Sequence, residues 1–125
     1  MSKTSVIAIV DDDEGVRVAT GSFVRSLGYA ARTYASASEF LQACAEQEPA
    51  CLITDVQMPE LDGVELQQAL IAAAHRIPII FVTAFPTETV RQSVLAAGAS
   101  GFLRKPCDCD AIVRCLQEAV GSPAE

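Results

Sequence analysis

The chain has 125 residues, half of them apolar and a fifth charged, with a formal net charge of −7. That length suits one domain around one core, and the apolar fraction excludes a disordered chain. The acidic balance argues against nucleic-acid binding by this domain alone, because phosphate contacts need a basic face.

In chain order, Val6-Ile7-Ala8-Ile9-Val10 is a continuous apolar run, as expected of a strand covered on both faces. It ends in Asp11-Asp12-Asp13-Glu14, whose later members suit the positive end of a following helix. Val16, Ala19, Phe23 and Leu27 recur at helical spacing, and Gly28 supplies the stop. Residues 30–34 read as a weaker strand. Ser36 and Glu39 then have the spacing of a capping box, ahead of a helix whose buried stripe is expected at Phe40, Leu41, Cys44 and Ala45. Pro49 closes that turn.

Cys51-Leu52-Ile53-Thr54-Asp55 is a short buried run that ends abruptly in a carboxylate. Leu61-Asp62-Gly63 reads as a turn and residues 64–74 as a third helix. The next buried strand is expected over 77–82, where Pro78 is tolerable only at the beginning. Thr83-Ala84-Phe85-Pro86 leads to a helix bearing Val90, Val94 and Ala97 and ended by Gly98. Gly101-Phe102-Leu103 is a short last strand. Beyond Lys105-Pro106, Ile112, Cys115, Leu116, Ala119 and Val120 make the stripe of a fifth helix. The domain is expected over 1–120, with 121–125 as a tail or the start of a linker.

The apolar stretches are far shorter than the roughly 20 residues a membrane-spanning helix needs, and the first residues lack the apolar segment of a signal peptide. A cytoplasmic protein is expected. The five cysteines fit buried free thiols of a reducing compartment, and Cys107-x-Cys109 lacks a second pair that would complete a zinc site.

Five strands alternating with five helices imply an α/β fold, a parallel sheet with helices on both faces. Ligand sites in such folds lie beyond the carboxyl ends of the strands. The acidic cluster, Asp55, Thr83 and Lys105 all follow strand ends. Gathering Asp11, Asp12 and Asp55 would crowd like charges, a conflict that a divalent cation resolves. Magnesium fits because it takes oxygen ligands and keeps several waters. Asp12 and Asp55 would be direct ligands, with Asp11 acting mainly through water. A carboxylate is also a nucleophile able to form an acyl phosphate, for which Lys105 supplies a positive charge and Thr83 a hydroxyl donor. Singly, Asp11 to Glu14 could cap a helix, Thr83 end a strand and Lys105 lie on the surface.

With Val10-Asp11-Asp12-Asp13, Asp55 followed by Met58-Pro59 and Asp62-Gly63, Thr83-Ala84, Ala96-Ala97-Gly98-Ala99 and Phe102-Leu103-x-Lys105-Pro106, the sequence resembles the receiver domain of two-component response regulators over almost its whole length. The resemblance implies a flavodoxin-like sheet of order 2-1-3-4-5. It implies that Asp55 is the phosphoacceptor, that Asp12, Asp55 and the backbone carbonyl of Gln57 bind Mg2+ beside Asp11, and that Lys105 and Thr83 contact the phosphoryl group. The donor would be a sensor histidine kinase or phosphotransfer protein, and the domain could catalyse its own phosphorylation and dephosphorylation without being an enzyme in the ordinary sense. A cis peptide is expected at Pro106. Thr83 and Phe102 occupy the positions of the family's switch, although Phe102 reads equally well as a core residue. Gln57 and Phe85 should flank the path of attacking water, with the bulk of Phe85 slowing hydrolysis. Partners would be a downstream protein or an output domain outside this chain, with homodimerisation on phosphorylation a further option and no membrane involved.

The competing reading is a receiver-like interaction module that is not phosphorylated; the complete set Asp12, Asp55, Thr83 and Lys105 argues against it. A flavin or nucleotide binder would want Gly, Ser or Thr donors where the first loop is acidic. A haloacid-dehalogenase-type phosphatase would want an acid at position 57, where Gln57 stands. His75, in a turn without a nearby acidic motif, reads as a surface histidine.

Overall fold

The computed structural model describes residues 5–106 and 108–121. Strands and helices alternate throughout: β1 (Val6–Val10), α1 (Glu14–Ser26), β2 (Ala30–Tyr34), α2 (Ala37–Glu46), β3 (Cys51–Asp55), α3 (Gly63–Ala72), β4 (Ile79–Thr83), α4 (Glu88–Ala96), β5 (Gly101–Arg104) and α5 (Cys109–Val120). The strands form one sheet of order β2-β1-β3-β4-β5, and every pairing is parallel.

Burial follows from that order. All residues of the central strands β3 and β4 are buried, whereas the edge strands β2 and β5 are only partly covered. Because successive side chains alternate faces, each central strand feeds two cores. Ala8, Val10, Leu52 and Phe81 pack with Phe40, Leu66, Leu70 and Val94 from α2, α3 and α4. Ile7, Ile9, Ile53, Ile80 and Val82 pack on the opposite face with Val24 of α1 and Leu116 of α5. This is why these runs lack polar alternation.

Local signals set the helix starts. Asp13, Ser36, Asp62, Thr87 and Asp108 each cap a helix by accepting a backbone N–H. The capping box forms in full at Asp62 and Glu65, in the segment read as a turn. At Ser36 only half of it forms, since the Glu39 carboxylate accepts from Ala35 N–H instead.

The sequence expectations need several corrections. The buried centre of α1 is Val24 rather than the expected stripe: Ala19 is exposed, while Val16, Phe23 and Leu27 are partly covered. Val16, Ala19 and Phe23 instead border an apolar cleft of about 540 Å³ between α1 and α5, which reaches Lys105 at one end. Ala45 is exposed, and the buried face of α2 runs through Ala37, Phe40 and Cys44. Helix α3 ends at Ala72 and not at 74, because Ala74 turns to a positive φ of 64°. Strand β4 starts after Pro78, which lacks the N–H a ladder needs. Cys44 and Cys51 are buried and free, and burial pushes the Cys51 thiol up to about 12; Cys109 is exposed and Cys115 partly buried. Cys107 and the tail residues 122–125 lie outside the described residues.

One close approach ties α3 to the end of β3. Gly63 N–H donates to Val56 C=O at 2.8 Å, and a Cβ on Gly63 would lie 2.5 Å from the Asp55 carbonyl oxygen and 2.9 Å from Val56 Cα. Both obstacles are backbone, so the strand end or the helix must shift. Gly63→Ala is expected to lower stability by about 1–3 kcal/mol, the cost of overpacking, read as a lower urea midpoint with an unchanged slope.

Candidate functional site

The chain leaves β1 for β2 on one side and later returns to place β3 on the other, so the sheet order reverses between β1 and β3. Val10 pairs with Thr54 in that register, which sets Asp11 beside Asp55 just past the rung. Asp55 in turn pairs with Val82, and Thr83 with Arg104, so Thr83 and Lys105 emerge at the same edge. Residues far apart in sequence thereby share one crevice at the carboxyl ends of the strands.

Lys105 is the centre of that crevice. Its Nζ donates to Asp11 Oδ2 at 2.8 Å and to Asp55 Oδ2 at 3.0 Å. Asp11 and Asp55 are 3% and 7% exposed, whereas Asp12 is exposed. The remaining oxygens are held by the main chain: Asp11 Oδ1 accepts from Asp13 N–H at 2.9 Å and Asp55 Oδ1 from Gln57 N–H at 3.2 Å. Arg17 Nη1 donates to the Asp11 carbonyl at 2.9 Å, a contact that no local pattern announces. Lys105 N–H donates to the Thr83 carbonyl at 2.8 Å, anchoring the backbone from which the ammonium reaches in, and the Lys105–Pro106 peptide is cis.

Carboxylate oxygens of Asp11, Asp12 and Asp55 all lie within 4.8 Å of one another. Three acids against the Lys105 ammonium and the Arg17 guanidinium still leave a local excess of negative charge. Burial raises the Asp55 pKa and the Asp11 charge adds to that, while the bond and charge of Lys105 and the Gln57 N–H pull it down without cancelling the rise. For Lys105 burial pulls the other way, but its bonds to Asp11 and Asp55 outweigh it and its pKa is raised. The all-oxygen donor set with surplus negative charge fits a hard divalent cation such as Mg2+.

Thr83 is 1% exposed. Its Oγ1 donates to Gln57 Oε1 at 3.2 Å and accepts from Phe85 N–H at 3.1 Å. The sequence reading singled out the Gln57 carbonyl; the structure adds its side chain, which no spacing signals. Phe85 is 72% exposed at the rim. Phe102 pairs with Phe81 across β4 and β5 and packs, half-buried, against the α2–α3–α4 side of the core. His75 stands apart from the site, paired through Nδ1 with Glu48.

Comparisons with known proteins agree on the family. A family described as "Response regulator receiver domain" matches residues 7–117. The response regulator protein TmoT of Ectopseudomonas mendocina is 40% identical over 102 residues, covering 82% of this chain and 46% of that protein. The transcriptional regulatory protein FixJ of Azorhizobium caulinodans is 31% identical over 125 residues, covering all of this chain and 59% of its own. Among solved structures, FixJ-N superposes with a TM-score of 0.87 at 30% identity over 94% of each chain. A receiver protein from Burkholderia phymatum superposes with a TM-score of 0.81 at 40% identity, over 96% of this chain and 98% of that one. The chain spans about half the length of the curated relatives it matches.

The raised Asp55 pKa has a consequence for stability. A carboxyl whose folded pKa lies above its ordinary value contributes stability below that ordinary value, 3.8, and loses it as pH rises through the folded pKa. At neutral pH the burial of Asp55 therefore works against folding. Asp55→Asn is expected to melt a few degrees higher than wild type at pH 7 in metal-free buffer, with the difference shrinking as the pH is lowered towards 4. Thermal melts across that range check it.

Proposed function

The chain belongs to the response regulator receiver domain family, and from that premise we propose that it is a phosphorylation-activated switch in which Asp55 accepts a phosphoryl group. The observation that carries the reading is the buried Asp11–Lys105–Asp55 cluster with Asp12 alongside. Phosphoryl transfer asks mainly for positioning and charge neutralisation, and these groups supply both. Asp12, Asp55 and the Gln57 carbonyl would hold Mg2+, with Asp11 nearby. The ion would neutralise charge between the Asp55 carboxylate and the incoming phosphoryl oxygens.

On this reading an Asp55 oxygen forms a bond to phosphorus while the P–N bond of a donor phosphohistidine breaks, and the histidine leaves as neutral imidazole once protonated. Lys105 stays within reach of the charge that gathers on the phosphoryl group. The Thr83 hydroxyl donates to one of its oxygens. Thr83 and Phe102 lie on neighbouring strands, so a shift of one is felt by the other and biases the surface formed by β4, α4, β5 and α5. The donor would be a sensor histidine kinase or phosphotransfer protein.

The relatives are longer than this chain, and some are named transcriptional or DNA-binding regulators, as with NtrC of Escherichia coli. The switched surface is therefore proposed to act on an output domain, a downstream protein or a second copy. Any nucleic-acid contact would belong to such an output, given the net charge of −7. No helix among the described residues is long and apolar enough to cross a membrane, and the proposed compartment is the cytoplasm.

Intact-protein mass after incubation with acetyl phosphate tests the reading. A single phosphoryl increment is expected in wild type with Mg2+, and none in Asp55→Asn or with the metal chelated. No increment in folded wild type, with a donor active on another receiver, would favour an interaction module that is not phosphorylated. Phe85, exposed two residues after Thr83, is proposed to slow water's approach. Phe85→Ala is expected to shorten the phospho-form's lifetime severalfold, followed as decay of the increment; an unchanged lifetime removes that role.

A further inference from the structure

Gln57 is hydrogen-bonded to Asp55 and to Thr83 at once. Its backbone N–H donates to Asp55 Oδ1 at 3.2 Å, and its side-chain Oε1 accepts the Thr83 hydroxyl at 3.2 Å. A hydroxyl has one proton to donate. In Thr83 that proton is engaged by Gln57, while its oxygen already accepts the Phe85 N–H at 3.1 Å, and the side chain is shielded from water. Phosphoryl oxygens at neutral pH are acceptors, so one of them gains the Thr83 hydroxyl only by displacing Gln57. Gln57 itself is exposed, and its freed carbonyl would find water.

We propose that Gln57 is a positioning residue that latches the Thr83 hydroxyl in the unmodified protein, competing with the phosphoryl group on Asp55 for a single proton. The inference rests on the function proposed above and adds a determinant of it: the strength of this bond sets how readily modification of Asp55 recruits Thr83. The latch is the side-chain bond to Thr83; the Gln57 N–H that holds Asp55 Oδ1 is backbone and is kept when the side chain is replaced.

The test is uptake of beryllofluoride, a mimic of the phosphoryl group on a carboxylate, with Mg2+ present. It is measured by titration for wild type, Gln57→Met, Thr83→Val and the double variant. Methionine keeps the length of glutamine but removes the amide acceptor. Gln57→Met is expected to bind about two- to fivefold more tightly than wild type, the worth of one partly exposed hydrogen bond. In the Thr83→Val background the same substitution is expected to change nothing, since there is no proton to release. In the unliganded protein the amide resonance of Phe85, whose N–H meets the Thr83 oxygen, should shift in Gln57→Met.

Equal affinity of wild type and Gln57→Met overturns the inference and leaves the receiver function standing. So does a tightening that persists without the Thr83 hydroxyl, which would place the effect of Gln57 elsewhere. Failure of folded wild type to take up beryllofluoride at all overturns both. Should Thr83→Val not fold, Thr83→Ser and Thr83→Ala supply the pair with and without a hydroxyl.

Discussion

Two carboxylates almost wholly removed from water, Asp11 and Asp55, share the ammonium of Lys105 at the ends of adjacent strands. Neither acid would be tolerable there alone, since an unpaired buried charge is strongly unfavourable. The shared cation relieves that cost only in part. Burial and the charge of Asp11 still raise the pKa of Asp55. The crevice is thus held together by Lys105 and left short of positive charge. Uptake of a divalent cation and nucleophilic attack by Asp55 are proposed for this setting.

The sheet exists in the form that this crevice requires. β3 and β4 are buried along their whole length, and the reversal of order between β1 and β3 opens the space into which Asp11 and Asp55 project. Helix α3 presses against the backbone of Asp55 and Val56 at Gly63, where a side chain would not fit. Asp55 is therefore braced by its parallel pairing with Val82 and by a helix start behind. By contrast, Gln57 and Phe85 sit in the loops that follow β3 and β4 and are exposed. Variation there would leave the core undisturbed.

The departures from expectation in α1 and α2 share one cause. In α1 the spacing of Val16, Ala19, Phe23 and Leu27 marks an apolar stripe, but a helix lying against a twisted sheet beside α5 buries the face centred on Val24. Part of the expected stripe lines the cleft between the two helices instead. Ala45 lies at the periphery of the α2 stripe and is left in water by the same geometry. A stripe identifies an amphipathic helix well, but its exact centre depends on how neighbouring elements are seated.

What the sequence determined by itself was the class of the fold and that Asp11, Asp12, Asp55, Thr83 and Lys105 gather at one edge of the sheet. Short runs such as Val6–Val10 and Cys51–Asp55, alternating with helical spacing, require a parallel sheet, and polar residues directly after such runs must emerge at one edge. Both signals are local, with periods of two and 3.6 residues. Tertiary structure decided the pairings. Lys105 takes Asp11, 94 residues away, and Asp55, 50 residues away, but not the exposed Asp12. Likewise Thr83 finds Gln57 across 26 residues, and His75 finds Glu48 across 27. These contacts depend on strand order, register and the seating of loops, which bring distant residues within about 3 Å only once the whole sheet is assembled, and no local period in the sequence encodes them.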